Sequence, residues 1–96
     1  MIMDKQMIEN ILLEENYPDY MLEKTIEKVE RFAPTVMEVF EEWSKSRVEP
    51  NISIEGFSFH QLIVEYRMKP IGAFITLDWL LRDPQKAVAA LKRGIR

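Results

Sequence analysis

Seven apolar residues, Leu22, Ile26, Val29, Ala33, Val36, Phe40 and Trp43, follow one another at steps of 4, 3, 4, 3, 4 and 3. That spacing returns a side chain to the same side of an α-helix at every step, and here it holds for three heptads. A strand of the same length would need a period of two. Charged residues fill the positions between, and Glu27–Arg31 and Glu41–Lys45 are i,i+4 pairs in the favoured order, worth about 0.2–0.5 kcal/mol each. Pro34 stands inside the run. It lacks a backbone donor and clashes with the turn before it, so the segment is expected to kink or break there. The stripe keeps its phase across the proline, which predicts one kinked helix or two nearly collinear ones. The stripe serves either as the face turned to the chain's own core or, in part, as a homodimer seam.

The rest of the chain reads as further helices. Met3, Met7, Ile8, Ile11 and Leu12 have helical spacing, with Asp4 as the N-cap, and Asn16-Tyr17-Pro18-Asp19 breaks that pattern. Asp19 is placed to cap the next helix. Ile52-Ser53-Ile54 and Phe57-Ser58-Phe59 alternate about Glu55-Gly56, the pattern of a tiny hairpin. Helix competes from Ser58 onward and is expected to win. Ser58 and Gln61 form a capping box, and Phe57 and Leu62 occupy the two positions of a hydrophobic staple. That helix is predicted to run to about 66–68, with Phe59, Leu62, Ile63 and Tyr66 inward.

Pro70 suits the first turn of the following helix. Over 71–81 only Thr76 and Asp78 carry polar side chains. On a helix these residues form two apolar arcs, a broad one of Ala73, Phe74, Leu77, Leu80 and Leu81 and a second of Ile71, Ile75 and Trp79. A helix apolar on two sides is usually central in its fold. Gly72 and Thr76 separate the arcs on one side, Asp78 and Arg82 on the other. Gly72 costs about 1 kcal/mol against Ala in a helix, and its expected use is a close backbone crossing. Asp83-Pro84 opens a last helix with Ala87, Val88 and Leu91 inward; Lys92 and Arg93 suit its negative end and Gly94 its C′ position.

The expectation is an all-α fold, a single helical domain over 1–96: a bundle of about five helices, the second kinked or broken at Pro34, with at most a very short β ribbon near 52–59. A chain of 96 residues has no room for a second domain of usual size. Hydrophobic residues make up 47% of the chain and charged residues 30%. Both values are ordinary for a folded chain.

Several chemistries find no residues to carry them. There is no cysteine and only one histidine, which removes disulfides, thiol nucleophiles and sulfur-based or two-histidine metal sites. No Gly-rich phosphate loop or nucleophile elbow is present. No apolar run approaches the ~20 residues of a membrane helix, and Met1-Ile2-Met3-Asp4-Lys5 lacks the pattern of a secretory signal. The expectation is a cytoplasmic protein that is not an enzyme, with no cofactor, no metal and no membrane partner. His60 would need a nucleophile or an acid beside it to act in catalysis, and Glu65 or Asp78 could meet it only through the fold. It is read as an ordinary helix residue. Asp78 is read as the partner of Arg82, one turn away.

Charge is divided along the chain. Residues 1–50 hold 12 acids and 6 bases, and residues 51–96 hold 4 acids and 7 bases. Such a division fits halves that attract each other, within one chain or between chains, or else a basic surface for a polyanion. The favoured function is a small interaction or regulatory protein that works through a helical surface and self-associates as a homodimer. The candidate interface is Ile71, Ile75, Trp79, Phe40 and Trp43. The alternative is a small DNA-binding regulator with a helix-turn-helix over 58–82, contacting nucleic acid through Arg67, Lys69, Lys92 and Arg93. Against it, the outer face of the second helix offers Ile71, Ile75, Trp79 and Asp78, where base recognition needs polar donors.

Overall fold

A computed structural model describes residues 3–94 and places six helices and one two-stranded ribbon along the chain. The order is α1 (Lys5–Glu14), α2 (Asp19–Glu30), α3 (Pro34–Ser46), β1 (Ser53–Ile54), β2 (Phe57–Ser58), α4 (Phe59–Val64), α5 (Pro70–Arg82) and α6 (Pro84–Lys92). The all-α expectation with a short ribbon holds. Contacts divide the chain into two compact units, Met1–Arg47 and Val48–Arg96.

In the first unit, α1 starts where Asp4 accepts a hydrogen bond from the Met7 backbone N–H at 2.9 Å, the ordinary work of an N-cap. It ends at Glu14, and the chain turns away at Asn16, whose φ is 63°. That value lies in the left-handed region, which Asn tolerates. Asp19 is the first helical residue of α2 rather than its cap; Pro18, extended at ψ 151°, holds the cap position. An acid in the first turn still faces the positive end of the helix. The long stripe is two helices, not one kinked rod. The break falls just upstream of Pro34, over Arg31–Ala33, and Ala33 has ψ 149°. The residue before a proline is driven out of the helical region in this way. Pro34 then takes the first position of α3, where its missing donor costs nothing.

The stripe is the buried face of both helices: Ile26, Val29, Val36, Phe40 and Trp43 are buried, and Leu22 and Ala33 are half-buried. Phe40 lies between two rings, edge-on to Phe32 at 5.7 Å and stacked with Trp43 at 6.1 Å. Phe32, in the break, three residues after Val29 and four before Val36, is buried as well. At the end of α3, Arg47 takes φ 56°, sets its guanidinium 4.9 Å over the Trp43 ring and pairs with Glu14 at 2.9 Å.

In the second unit the hairpin and the capped helix both form. Ser53 pairs with Ser58 and Ile54 with Phe57 across a two-residue turn. Glu55 and Gly56 have φ of 53° and 83°. These are the positive values that a tight turn between twisted strands demands. Ser58 ends the ribbon and caps α4 at once, accepting from the Gln61 N–H at 3.0 Å. Phe57 and Leu62 are buried beside that start, as a staple requires. The helix stops at Val64, earlier than expected. Arg67 turns left-handed at φ 56°, and the chain wraps so that the Tyr66 and Met68 N–H groups donate to the Gln61 and Leu62 carbonyls at 3.3 and 3.0 Å.

The hydrophobic α5 packs against α4, α6 and the ribbon, and buries Ile71, Ala73, Phe74, Thr76, Leu77 and Leu80. Phe59 of α4 meets Phe74 with ring centroids 4.9 Å apart. Asp83, out of the helical conformation at φ −142° and ψ 69°, ends one and begins the other. Gly94 adopts φ 80° after α6, as its place beyond the helix predicts.

Candidate functional site

The residues of α5 that are not buried fall in two places, Leu81 on one side and a strip of regular spacing on another. Six of the helix's residues are buried. Of the others, Gly72 and Ile75 are half-buried, Trp79 is 36% exposed and Arg82 is exposed. These four are spaced 3, 4 and 3, the a/d rhythm of a helix seam. Asp78 flanks them, its side chain 14% exposed, and accepts from the Arg82 Nε–H at 2.8 Å. The flank of the strip is therefore electrically neutral. Thr76, one turn beyond Gly72, is buried, and its hydroxyl donates to the Gly72 carbonyl at 2.9 Å. The polar atom is thus satisfied within the helix.

Three members of the interface expected from the sequence lie in the core. Ile71 is fully buried because the α5 face carrying it turns into the core. Phe40 and Trp43 are buried by the rings around them and belong to the core of the first unit. Ile75 and Trp79 remain at the surface. Leu81, assigned to the inward arc, is 43% exposed. Gly72, expected at a close backbone crossing, and Arg82, expected as the partner of Asp78, complete the strip. The signal for them was the 3–4 spacing already used on residues 22–43, applied across a glycine and an arginine that a count of apolar residues passes over.

Arg67, Lys69, Lys92 and Arg93 are all exposed. Glu65, Tyr66, Leu91, Lys92 and Gly94 line one depression of about 250 Å³, so the chain just before Arg67 lies beside the end of α6. Glu65 places an acid among these bases. A second depression of about 440 Å³ lies between the ribbon turn and α6, lined by Glu55, Pro84, Gln85, Val88, Ala89 and Lys92. Val88, expected inward, is half-buried at its wall.

His60 meets neither Glu65 nor Asp78. Its Nδ1 lies 2.8 Å from Glu49 Oε1, with the two side chains 67% and 48% exposed. An open surface pair with no nucleophile in contact has no means of excluding water from a reacting group. Among the described residues no three His, Cys, Asp or Glu side chains gather in a way that could hold a metal ion. No helix among them is long and apolar enough to cross a membrane. Set against protein families, curated proteins and solved structures, the chain matches none.

Proposed function

We propose that this chain is a small, non-catalytic, cytoplasmic protein that acts through protein–protein contact, in a regulatory capacity, and associates with itself through the outward strip of α5. One observation carries the proposal: Trp79 is 36% exposed beside half-buried Ile75, on a helix that buries six of its residues in the core. Tryptophan in contact with water is a costly way to finish a surface and is enriched where binding energy is concentrated. The Asp78–Arg82 pair supports it, since docking on this strip buries no unmatched charge. The division of charge, acidic over 1–50 and basic over 51–96, adds attraction between copies.

The alternative, a helix-turn-helix regulator, draws support from the exposure of Arg67, Lys69, Lys92 and Arg93 and from the meeting of the ends of α4 and α6. It asks α5 to read bases with an outward face of Gly72, Ile75, Asp78, Trp79, Leu81 and Arg82, which holds one base and one acid. Light scattering over a concentration series, on the wild type and on Trp79→Glu, separates the two. Self-association predicts a mass that rises with concentration in the wild type and stays monomeric in a Trp79→Glu variant that keeps its circular dichroism. A wild type that is monomeric throughout, yet binds duplex DNA in a salt-dependent manner lost in Arg67→Glu/Lys69→Glu, would put the alternative first.

A further inference from the structure

We propose that Met68 is an oxidation switch: a peroxide converts its thioether to the sulfoxide, and the new oxygen draws the Thr76 hydroxyl away from the Gly72 carbonyl and loosens the start of α5. The switch lies inside the second unit and operates whether or not copies of the chain associate.

The turn between α4 and α5 places the sulfur. Arg67 is left-handed at φ 56°, and the Met68 N–H donates to the Leu62 carbonyl at 3.0 Å. Arg67 and Lys69 are exposed, while Met68 between them is half-buried. Its Sδ lies 3.4 Å from Oγ1 of Thr76, a buried residue of α5. That hydroxyl carries a single proton. The Gly72 carbonyl, 2.9 Å away, takes it, because a thioether is only a weak acceptor. The sulfur is therefore a soft packing neighbour of the hydroxyl and makes little demand on it.

Oxidation reverses that order. A sulfur lone pair attacks one oxygen of hydrogen peroxide, forming the S–O bond as the O–O bond breaks. The departing hydroxide takes the proton of the transferred hydroxyl and leaves as water. Sulfur is oxidised by two electrons and the peroxide is reduced. The sulfoxide oxygen is strongly polar, and where Sδ touches Thr76 it competes with Gly72 for the one proton. The Gly72 carbonyl keeps the Thr76 N–H of the helix ladder, so α5 loosens at its first turns without melting. Reduction of the sulfoxide by a methionine sulfoxide reductase restores the thioether. Met3 has a similar setting, with Sδ 3.6 Å from the Ser44 hydroxyl, which itself donates to the Glu41 carbonyl at 2.6 Å. Met3 is buried, however, and burial shields it from peroxide; half-buried Met68 lacks that protection.

Hydrogen peroxide applied to the whole chain, followed by hydrogen exchange read by NMR, tests the switch. The tryptic peptide 68–82 holds Met68 as its only methionine, so its gain of one oxygen measures the oxidation. Once that peptide is oxidised, amides 73–77 should exchange about tenfold faster, the equivalent of one net hydrogen bond. The reductase should restore the original rates. Met68→Leu should show no such change when its other methionines are equally oxidised. Thr76→Val, which removes the hydroxyl and keeps the branched shape, should lose most of the response. Met68→Gln, polar and of similar length, should exchange like the oxidised wild type without peroxide, and it carries the test should another variant fail to fold. Unchanged exchange with peptide 68–82 oxidised would overturn the switch, as would an equal response in Met68→Leu. A full response in Thr76→Val would overturn the transfer of the hydroxyl. A Met68 left unoxidised while exposed Met21 reacts would overturn its access to peroxide, and with it the proposal.

Discussion

Six residues of the described chain hold positive φ: Asn16, Arg47, Glu55, Gly56, Arg67 and Gly94. Each sits where the chain must reverse, at the end of a helix or in the ribbon turn. Asn and Gly adopt this conformation readily, whereas Arg47, Glu55 and Arg67 hold it against a Cβ penalty and depend on the structure around them. Gly56 isolates that penalty. A Cβ at this position would meet no atom within 4 Å, so there is space for alanine, yet φ is 83°. Gly56→Ala should therefore destabilise the protein by about 1–2 kcal/mol through backbone conformation alone. A denaturant melt reads the difference, and an unchanged midpoint would mean that the turn relaxes into another form.

The helix α4 shows how much a short element relies on its ends. Its six residues cannot hold a helix in water by propensity. The Ser58 side chain satisfies the Gln61 N–H at 3.0 Å, Phe57 and Leu62 close the start, and Phe59 packs on Phe74. Ser58→Ala is expected to cost about 0.5–2 kcal/mol. Because Ser58 is also the last residue of the ribbon, the loss should appear in hydrogen exchange as faster exchange of the Gln61 amide before the rest of the unit opens. An equal change at every amide would assign Ser58 to global stability and not to the cap. For α5, the two apolar arcs were legible from 71–81, but their roles were not. Ile71 joins the core while Trp79, two turns on, does not, since the spacing of residues on a helix says nothing of which neighbours arrive.

The boundary between the compact units, at Arg47 and Val48, falls beside the point where the charge changes sign in the sequence. Residues 47–52 form no helix or strand, and Val48 is 68% exposed. An exposed segment without ladder hydrogen bonds is where a protease finds chain it can bind. Limited trypsin digestion should therefore make its first internal cut after Arg47, with mass spectrometry reading fragments 1–47 and 48–96. A first internal cut within α2, α3 or α5 would show that those helices open more easily than this segment, and that the division into units carries no difference in local stability.

Helix positions, caps and breaks were legible in the residues because they depend on neighbours in the chain. Asp4, Ser58, Pro34, Pro70 and Gly94 act where local chemistry predicts, by filling or removing backbone hydrogen bonds within a turn. The 3–4 stripe likewise announced a buried face. The errors follow the same division. The length of α4 was missed because its end is set by Arg67 turning left-handed, a conformation that arginine's own preference does not favour. For Phe40 and Trp43 the residues leave core and interface open, because an apolar stripe looks the same whether its cover comes from the same chain or from another. Only packing in three dimensions assigns cover, burying Ile71, Phe40 and Trp43 and leaving Ile75 and Trp79 at the surface. The reason is that hydrophobic burial depends on area removed from water, without regard to direction or to the distance along the chain of whatever removes it.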